Sequence, residues 1–198
     1  MSGAATRDVV TRFGPSALAT PANALSMVRV LAAPIYGLFL ARTGPDSWLL
    51  WSLWVILSFS DRLDGTLARR HGATRSGAFL DPLADKLLVL AALSALASLG
   101  AVAWWPVGLI AARELAMSAF RTFAGRRGVS IPARPLAKVK TLFQDLAVGF
   151  AVLPLTAGVP GIARGVLWLA VAVTVVTGGE YVLDGRPVLR TAPGRLAA

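Results

Sequence analysis

The sequence predicts an all-α, polytopic membrane protein with six transmembrane helices and a short N-terminal juxtamembrane amphipathic helix. Hydrophobic residues make up 56% of the 198 residues and charged residues only 15%, and the mean hydropathy is +0.65. Soluble domains are ordinarily less apolar and more charged. The apolar residues are gathered into runs near the length of a bilayer-spanning helix, without the alternation of barrel strands.

Six apolar runs are candidate spans, because about 20 helical residues cross the hydrocarbon core. Each run must be helical, since lipid offers no water to unpaired backbone groups. The spans cover residues 23–41, 46–66, 78–99, 101–121, 138–157 and 162–183. We therefore expect one membrane domain over residues 1–198, with 1–22 as a cytoplasmic juxtamembrane segment, 23–183 as the six-helix bundle and 184–198 as a cytoplasmic tail.

The first twenty residues carry charges and no continuous apolar core, so we expect no secretory signal there. Val9, Val10 and Phe13 recur at helical spacing beside Arg12. This pattern favours a short amphipathic helix on the membrane surface, with a disordered tail as the alternative.

The basic residues indicate the orientation of the spans. Arginines gather before span 1, between spans 2 and 3, between spans 4 and 5 and after span 6, whereas the other loops hold only Arg42 and Arg164. The positive-inside rule then places both termini and the loop between spans 2 and 3 in the cytoplasm. The net charge of +10 suits an anionic membrane face better than nucleic acid, because the basic residues form no single stripe. Together with the alanine- and arginine-rich composition, this predicts a bacterial inner-membrane protein.

Two groups of residues inside the spans are predicted to be structural. The tryptophans mostly flank the outer ends of spans and are expected to anchor the chain at the membrane interface; they are Trp48, Trp51, Trp54, Trp104, Trp105 and Trp168. Asp145 and Glu180 lie in or near later spans, where we expect hydrogen bonds between helices.

Four aspartates stand where spans 2 and 3 meet the predicted cytoplasmic loop. Asp61 and Asp64 are three residues apart, and Asp81 and Asp85 are four apart, so each pair shares a helix face. Four converging carboxylates need cations, and oxygen ligands suit Mg²⁺ or Mn²⁺. The alternative is a network of ion pairs with the basic residues of the same stretch, Arg62, Arg69, Arg75 and Lys86.

Small residues beside the aspartates leave room for a ligand. Gly65, Ala68 and Gly77 remove side-chain bulk, and Arg69 offers a fork of donors for phosphate oxygens. Close helix packing would explain the same small residues. Cysteine is absent, and the single histidine, His71, is interpreted as a solvated loop residue and not as a catalytic base.

Residues 61–85 read Asp-x2-Asp-Gly-x2-Ala-Arg-x7-Gly-x3-Asp-x3-Asp. This pattern resembles the signature of the CDP-alcohol phosphotransferases, membrane enzymes that displace CMP from a CDP-linked alcohol or lipid. The resemblance implies that Asp61, Asp64, Asp81 and Asp85 hold two metal ions and that Asp85 also takes the proton of the acceptor hydroxyl. It further implies a homodimer and a set of contacts to CDP-diacylglycerol, made by Asn23, Gly65, Ala68, Arg69, Arg75 and Gly77.

The stretch from Ala112 to Gln144 resembles the branch of this family that uses glycerol 3-phosphate. Transfer of the phosphatidyl group to sn-glycerol 3-phosphate would give phosphatidylglycerophosphate and CMP. Phosphatidylglycerol and inositol phosphate are the alternative acceptors, and a small transporter is the alternative outside the enzymes. The acceptor phosphate is expected to contact four basic residues, Arg113, Arg121, Lys138 and Lys140.

Other roles for those four basic residues stay open. Lys138 and Lys140 could be anchors on the positive side of the membrane. Arg113 could pair with Glu114 or with Asp145.

Overall fold

The computed structural model describes residues 21–71, 77–126 and 135–190. The predicted amphipathic helix before span 1 and the predicted substrate contact Arg75 lie outside these ranges. The described residues form six α-helices and no strand, which confirms the all-α class. The helices are α1 (Pro21–Thr43), α2 (Trp48–His71), α3 (Gly77–Ser98), α4 (Trp104–Arg126), α5 (Pro135–Val152) and α6 (Pro160–Arg190), with a 3₁₀ turn at Pro154–Thr156.

Proline and glycine set several helix ends. α1, α5 and α6 each begin with a proline, whose fixed φ suits the first helical turn and whose missing N–H needs no partner there. α1 and α3 are followed by Gly44 and Gly100, with φ of +83° and +73°. In this left-handed region glycine carries no steric penalty. The backbone N–H of Gly44 donates a hydrogen bond to the carbonyl of Leu40 at 3.0 Å. The chain therefore turns sharply at the end of α1.

Consecutive helices run in opposite directions. Arg164, near the start of α6, donates from Nε to the carbonyl of Ala101 just before α4 at 3.3 Å. Farther along both helices, Arg113 donates to Thr177 at 3.2 Å. These contacts put the connections 99–103 and 153–159 at one end of the bundle. The approach of Gly37, near the end of α1, to Ala91, near the end of α3, puts the connection 44–47 there as well. We call this end the short-loop end. The start of α3 and the last turns of α2 lie at the other end, called here the aspartate end.

α1 packs closely along α3. A Cβ placed on Gly37 would lie 3.1 Å from the carbonyl oxygen and 3.2 Å from the Cβ of Ala91, so the two backbones approach as only a glycine allows. The side chains around this contact are buried, among them Ala33, Tyr36 and Leu40 of α1 and Leu88 and Ala92 of α3. This interface fixes the register of α1 against α3.

The outer surface of the bundle is strongly apolar. On α1, Val28, Leu31, Ile35 and Leu38 follow one another at helical spacing and are 60 to 66% exposed. Comparable rows occur on α6, where Leu169, Val175 and Val176 are exposed. Apolar surface on this scale is unfavourable in water and marks a surface that something covers.

Within the described residues, one helical stretch, Pro160–Gly179, has the length and apolar composition needed to cross a membrane, and Trp48–Ser60 is apolar but shorter. Charged residues near the aspartate end interrupt the apolar stretches of α3, α4 and α5, as at Lys86, Arg113 and Lys140. The six predicted helices are therefore confirmed as helices, while the crossing of a membrane by each of them is not tested by this criterion.

One of the predicted interfacial tryptophans lies elsewhere. Trp48, Trp104, Trp105 and Trp168 are more than half exposed and lie near the short-loop end, whereas Trp54 is only 2% exposed. Its Nε1 donates to the backbone carbonyl of Asp145 at 3.1 Å. The prediction of an interfacial role for Trp54 was wrong, because the indole fills the space between α2 and α5.

The Gly37 contact can be tested by adding one methyl group. Gly37→Ala should lower the free energy of unfolding by about 1–3 kcal/mol, because the new Cβ meets rigid backbone of α3. Gly165→Ala is the matched control, since nothing lies within 4 Å of a Cβ at Gly165 in α6. Thermal unfolding in detergent, followed by circular dichroism, compares the two. Equal midpoints would contradict the close approach of α1 and α3.

Candidate functional site

The helices α2 and α3 carry the four predicted metal-binding aspartates. Asp61 and Asp64 lie in the second half of α2, and Asp81 and Asp85 lie in the first half of α3. Since α2 and α3 are consecutive and antiparallel, all four belong to the aspartate end. The Asp85 side chain is partly buried, while the other three side chains fall outside what the structure describes. Among the described side chains, no three histidine or acidic groups converge.

The predicted contacts to CDP-diacylglycerol lie on the same helices and on α1. Asn23 is in the first turn of α1, Gly65, Ala68 and Arg69 are in α2, and Gly77 begins α3. The described part of the chain includes their backbone but not their side chains. Their helical positions are those expected from the sequence, and their contacts stay a prediction.

Arg29 is a buried cation at the depth of the aspartates. It is 1% exposed and precedes Gly37 by eight residues on α1. Because Gly37 meets Ala91 and the two helices run in parallel, the rise per residue places Arg29 level with about residue 83 of α3. That position lies between Asp81 and Asp85. The buried guanidinium therefore lies at the same height in the bundle as the two aspartates of α3.

Glu114 of α4 is the centre of a second polar cluster. Its Oε1 accepts hydrogen bonds from Nη1 of Arg113, at 3.0 Å, and from Nζ of Lys140. Its Oε2 lies 3.6 Å from Nζ of Lys86, and Lys86 also donates to Oγ of Ser118 one turn along α4. We call Lys86, Arg113, Glu114 and Lys140 the Glu114 cluster. It joins α3, α4 and α5.

Hydrogen bonds extend this cluster to α6. Nη2 of Arg113 donates to Oγ1 of Thr177 at 3.2 Å, and the Thr177 side chain is itself buried. Gln144 and Thr174, also buried, approach to 3.5 Å between α5 and α6. Polar groups thus continue into a part of the bundle that is otherwise lined by leucine, valine and alanine.

The Glu114 cluster has a surplus of positive charge. Three basic side chains surround one carboxylate, which leaves two positive charges uncompensated within these four residues. Buried charges are costly unless they are paired, and in membrane proteins such groups usually serve a function. A site of this composition can attract an anion bearing two negative charges.

The structure bears on three sequence-based expectations. The alternative pairing of Arg113 with Glu114 is confirmed. Lys140 is not a surface anchor, because it is only 4% exposed. Among the described side chains, Lys86, considered as a partner of the aspartates, contacts Ser118 and Glu114 of α4. Arg121 and Lys138, the other predicted phosphate contacts, lie on α4 and α5 with side chains beyond the described set.

Sequence reasoning named Glu114 only as a possible partner of Arg113 and missed its central position. The available signal was an acidic residue next to an arginine inside an apolar span, where neither charge is tolerated alone. An acidic residue next to an arginine does not indicate which lysines of other helices will contact it.

An apolar groove of about 310 Å³ lies between α2 and α5. Trp51, Val55 and Phe59 of α2 and Leu146 and Phe150 of α5 form most of its wall, and Ser58 and Asp145 contribute its polar edge. Trp54 closes the groove on the side of the core. A groove with this lining can accept a hydrocarbon chain.

Comparison with known proteins finds several relatives that are named for phosphatidyl transfer or for phosphatidylglycerophosphate synthesis. The chain is 40% identical over 174 residues to a probable phosphatidylglycerophosphate synthase of Mycobacterium tuberculosis, covering 85% of this chain and 83% of that protein. Two proteins named CDP-diacylglycerol–glycerol-3-phosphate 3-phosphatidyltransferase are also similar. That of Bacillus subtilis is 39% identical, with 71% of this chain and 75% of the relative covered.

The second of these relatives, from Rickettsia bellii, is 35% identical, with 80% of this chain and 91% of the relative covered. The family model described as CDP-alcohol phosphatidyltransferase matches residues 19–176, which include all four aspartates and the whole Glu114 cluster. The chain therefore belongs to the CDP-alcohol phosphatidyltransferase family.

Proposed function

We propose that this protein transfers the phosphatidyl group of CDP-diacylglycerol to sn-glycerol 3-phosphate, giving phosphatidylglycerophosphate and CMP. The observation that carries the proposal is the similarity to relatives named for this reaction, at 35 to 40% identity over most of the chain. The surplus positive charge of the Glu114 cluster supports an anionic acceptor.

Asp61, Asp64, Asp81 and Asp85 are proposed to hold two Mg²⁺ or Mn²⁺ ions. Their positions on two adjacent helices fit this role, since the donors are all carboxylates and the spacing puts each pair on one helix face. Bound divalent ions would neutralise charge on the phosphoryl group and on the departing CMP.

The donor and the acceptor are proposed to approach from different sides of these aspartates. Asn23, Gly65, Ala68, Arg69, Arg75 and Gly77 would contact CDP-diacylglycerol, as the family signature implies. The groove between α2 and α5 suits one of its acyl chains, because both the wall and the chain are apolar. Arg113, Arg121 and Lys138 are proposed for the phosphate of the acceptor.

The chemical step is a displacement at the phosphorus that bears the diacylglycerol. The hydroxyl oxygen of the acceptor forms a bond to this phosphorus, and the bond to the oxygen that leaves with CMP breaks. Asp85 is proposed to take the hydroxyl proton, for which a carboxylate within hydrogen-bond reach is required. Its partial burial, one residue before Lys86 of the Glu114 cluster, supports this role.

The exposed apolar rows on α1 and α6 support a bundle whose six helices span a bacterial inner membrane, with the aspartate end facing the cytoplasm. Residues 1–198 would then be a single membrane domain, with 23–183 as its bundle. A homodimer is proposed from the family resemblance, and the extended apolar surface is compatible with it.

The acceptor can be identified with purified protein in detergent, supplied with CDP-diacylglycerol and Mg²⁺. Glycerol 3-phosphate, phosphatidylglycerol and inositol phosphate are offered separately, and CMP release and the lipid product are measured. We expect release with glycerol 3-phosphate. Release with phosphatidylglycerol alone would overturn the acceptor, and no release with any acceptor would overturn the reaction.

The role of Asp85 can be tested in the same assay by comparing the turnover of the Asp85→Asn and Asp46→Asn variants. Asp85→Asn should reduce turnover by about 100-fold or more, because it removes a base and a metal ligand. Asp46→Asn, in the exposed loop between α1 and α2, should match the wild type and serves as the control for an altered aspartate.

The groove can be tested by filling it. Val55→Trp should raise the KM for CDP-diacylglycerol with long acyl chains by about tenfold, because the indole occupies space needed by a chain. A donor with short acyl chains should be little affected. Ile56→Trp is the control, since Ile56 lies next to Val55 on the exposed face of α2. An equal effect of both variants, or of both donors, would show that the groove does not bind the acyl chain.

A further inference from the structure

We propose that Glu114 and Lys140 form a closed charge pair that positions Arg113 and sets the net charge of the acceptor site, and that Lys140 does not contact the acceptor phosphate. This inference rests on the proposed function, since it concerns the site for glycerol 3-phosphate. It changes the role expected for Lys140 and gives one to Glu114 and Lys86.

Burial separates Lys140 from the other two cations of the Glu114 cluster. The Lys140 side chain is 5% exposed and that of Glu114 is 7% exposed, whereas the side chains of Arg113 and Lys86 are 13% and 26% exposed. To reach a ligand, the ammonium of Lys140 would have to leave the carboxylate of Glu114. Both buried charges would then lose their partner, which is costly. Arg113 and Lys86 have the access that Lys140 lacks.

The charges of the Glu114 cluster also separate Lys140 from Arg113 and Lys86. Lys140 neutralises Glu114, and the positive charges of Arg113 and Lys86 remain. A phosphate monoester carries about −1.5 to −2 charges near neutral pH. Within the Glu114 cluster, Arg113 and Lys86 are therefore the cations that complement the acceptor phosphate, beside the proposed contacts Arg121 and Lys138.

The geometry explains why a carboxylate is present at all in a site for an anion. Glu114 holds Nη1 of Arg113 at 3.0 Å, and Thr177 holds Nη2 at 3.2 Å. Two anchors on α4 and α6 fix the plane of the guanidinium, which has five donors in a rigid fork. Arg113 is thus oriented before the acceptor arrives, and Glu114 is a positioning residue.

A double-mutant cycle tests the pair. Lys140→Met, Glu114→Gln and the double variant are compared with the wild type by the KM for glycerol 3-phosphate, the KM for CDP-diacylglycerol, kcat and the midpoint of thermal unfolding. Lys140→Met should raise the KM for glycerol 3-phosphate by about tenfold, because Glu114 then cancels a charge that served the phosphate. The KM for CDP-diacylglycerol should stay within about twofold.

The double variant decides the inference. It restores the surplus of two positive charges, and the amide that replaces the Glu114 carboxylate keeps an oxygen for Nη1 of Arg113. Its KM for glycerol 3-phosphate should therefore return to within about threefold of the wild type. Its unfolding midpoint should exceed that of Glu114→Gln, in which Lys140 is buried without its carboxylate.

Direct binding of phosphate by Lys140 predicts the opposite result, since the double variant would then be impaired at least as much as Lys140→Met. That result, or failure of the charge-balanced double variant to fold, would overturn the inference. Lack of turnover by the wild type with glycerol 3-phosphate would instead overturn the proposed function, so the two failures are distinguishable.

Discussion

Charged groups inside an apolar helical bundle must be paired, in this protein largely by side chains from other helices, and this requirement shapes the whole molecule. Glu114 shows its effect most clearly, because lysines from α3 and α5 and an arginine from α4 all meet its carboxylate. The two lysine contacts each tie one helix to another at a defined height. The same interactions that satisfy the buried charges therefore fix the positions of the helices that bear the proposed chemistry.

The two ends of the bundle differ in their content of charged residues. At the short-loop end, glycine turns after α1 and α3 and a contact between Trp105 and Trp168, with ring centroids 4.6 Å apart, join the helices with little charge. Toward the other end, Arg29, the four aspartates and the Glu114 cluster lie on α1 to α5. The close approach at Gly37 connects these regions, since it sets the height of Arg29 against the aspartates of α3.

Hydropathy predicted the six helices because a long apolar run near a bilayer has only one way to satisfy its backbone. The positions of Asp61, Asp64, Asp81 and Asp85 in two consecutive helices were likewise predicted, and the structure has them in α2 and α3. Sequence periodicity did not predict the burial of Trp54 or the groove beside it, because both depend on which face of α2 meets α5. The Glu114 cluster was missed for the same reason, since its lysines come from helices 28 and 26 residues away along the chain.

The most direct test of the account is the binding of Mn²⁺ to the purified protein, measured by electron paramagnetic resonance. If the four aspartates of α2 and α3 converge, the protein should bind two Mn²⁺ ions whose spectrum shows coupling between neighbouring ions. Asp61→Asn and Asp81→Asn should each abolish that coupling, while Asp46→Asn should preserve it. A spectrum of isolated ions that none of these substitutions changes would contradict a paired metal site and the mechanism built on it.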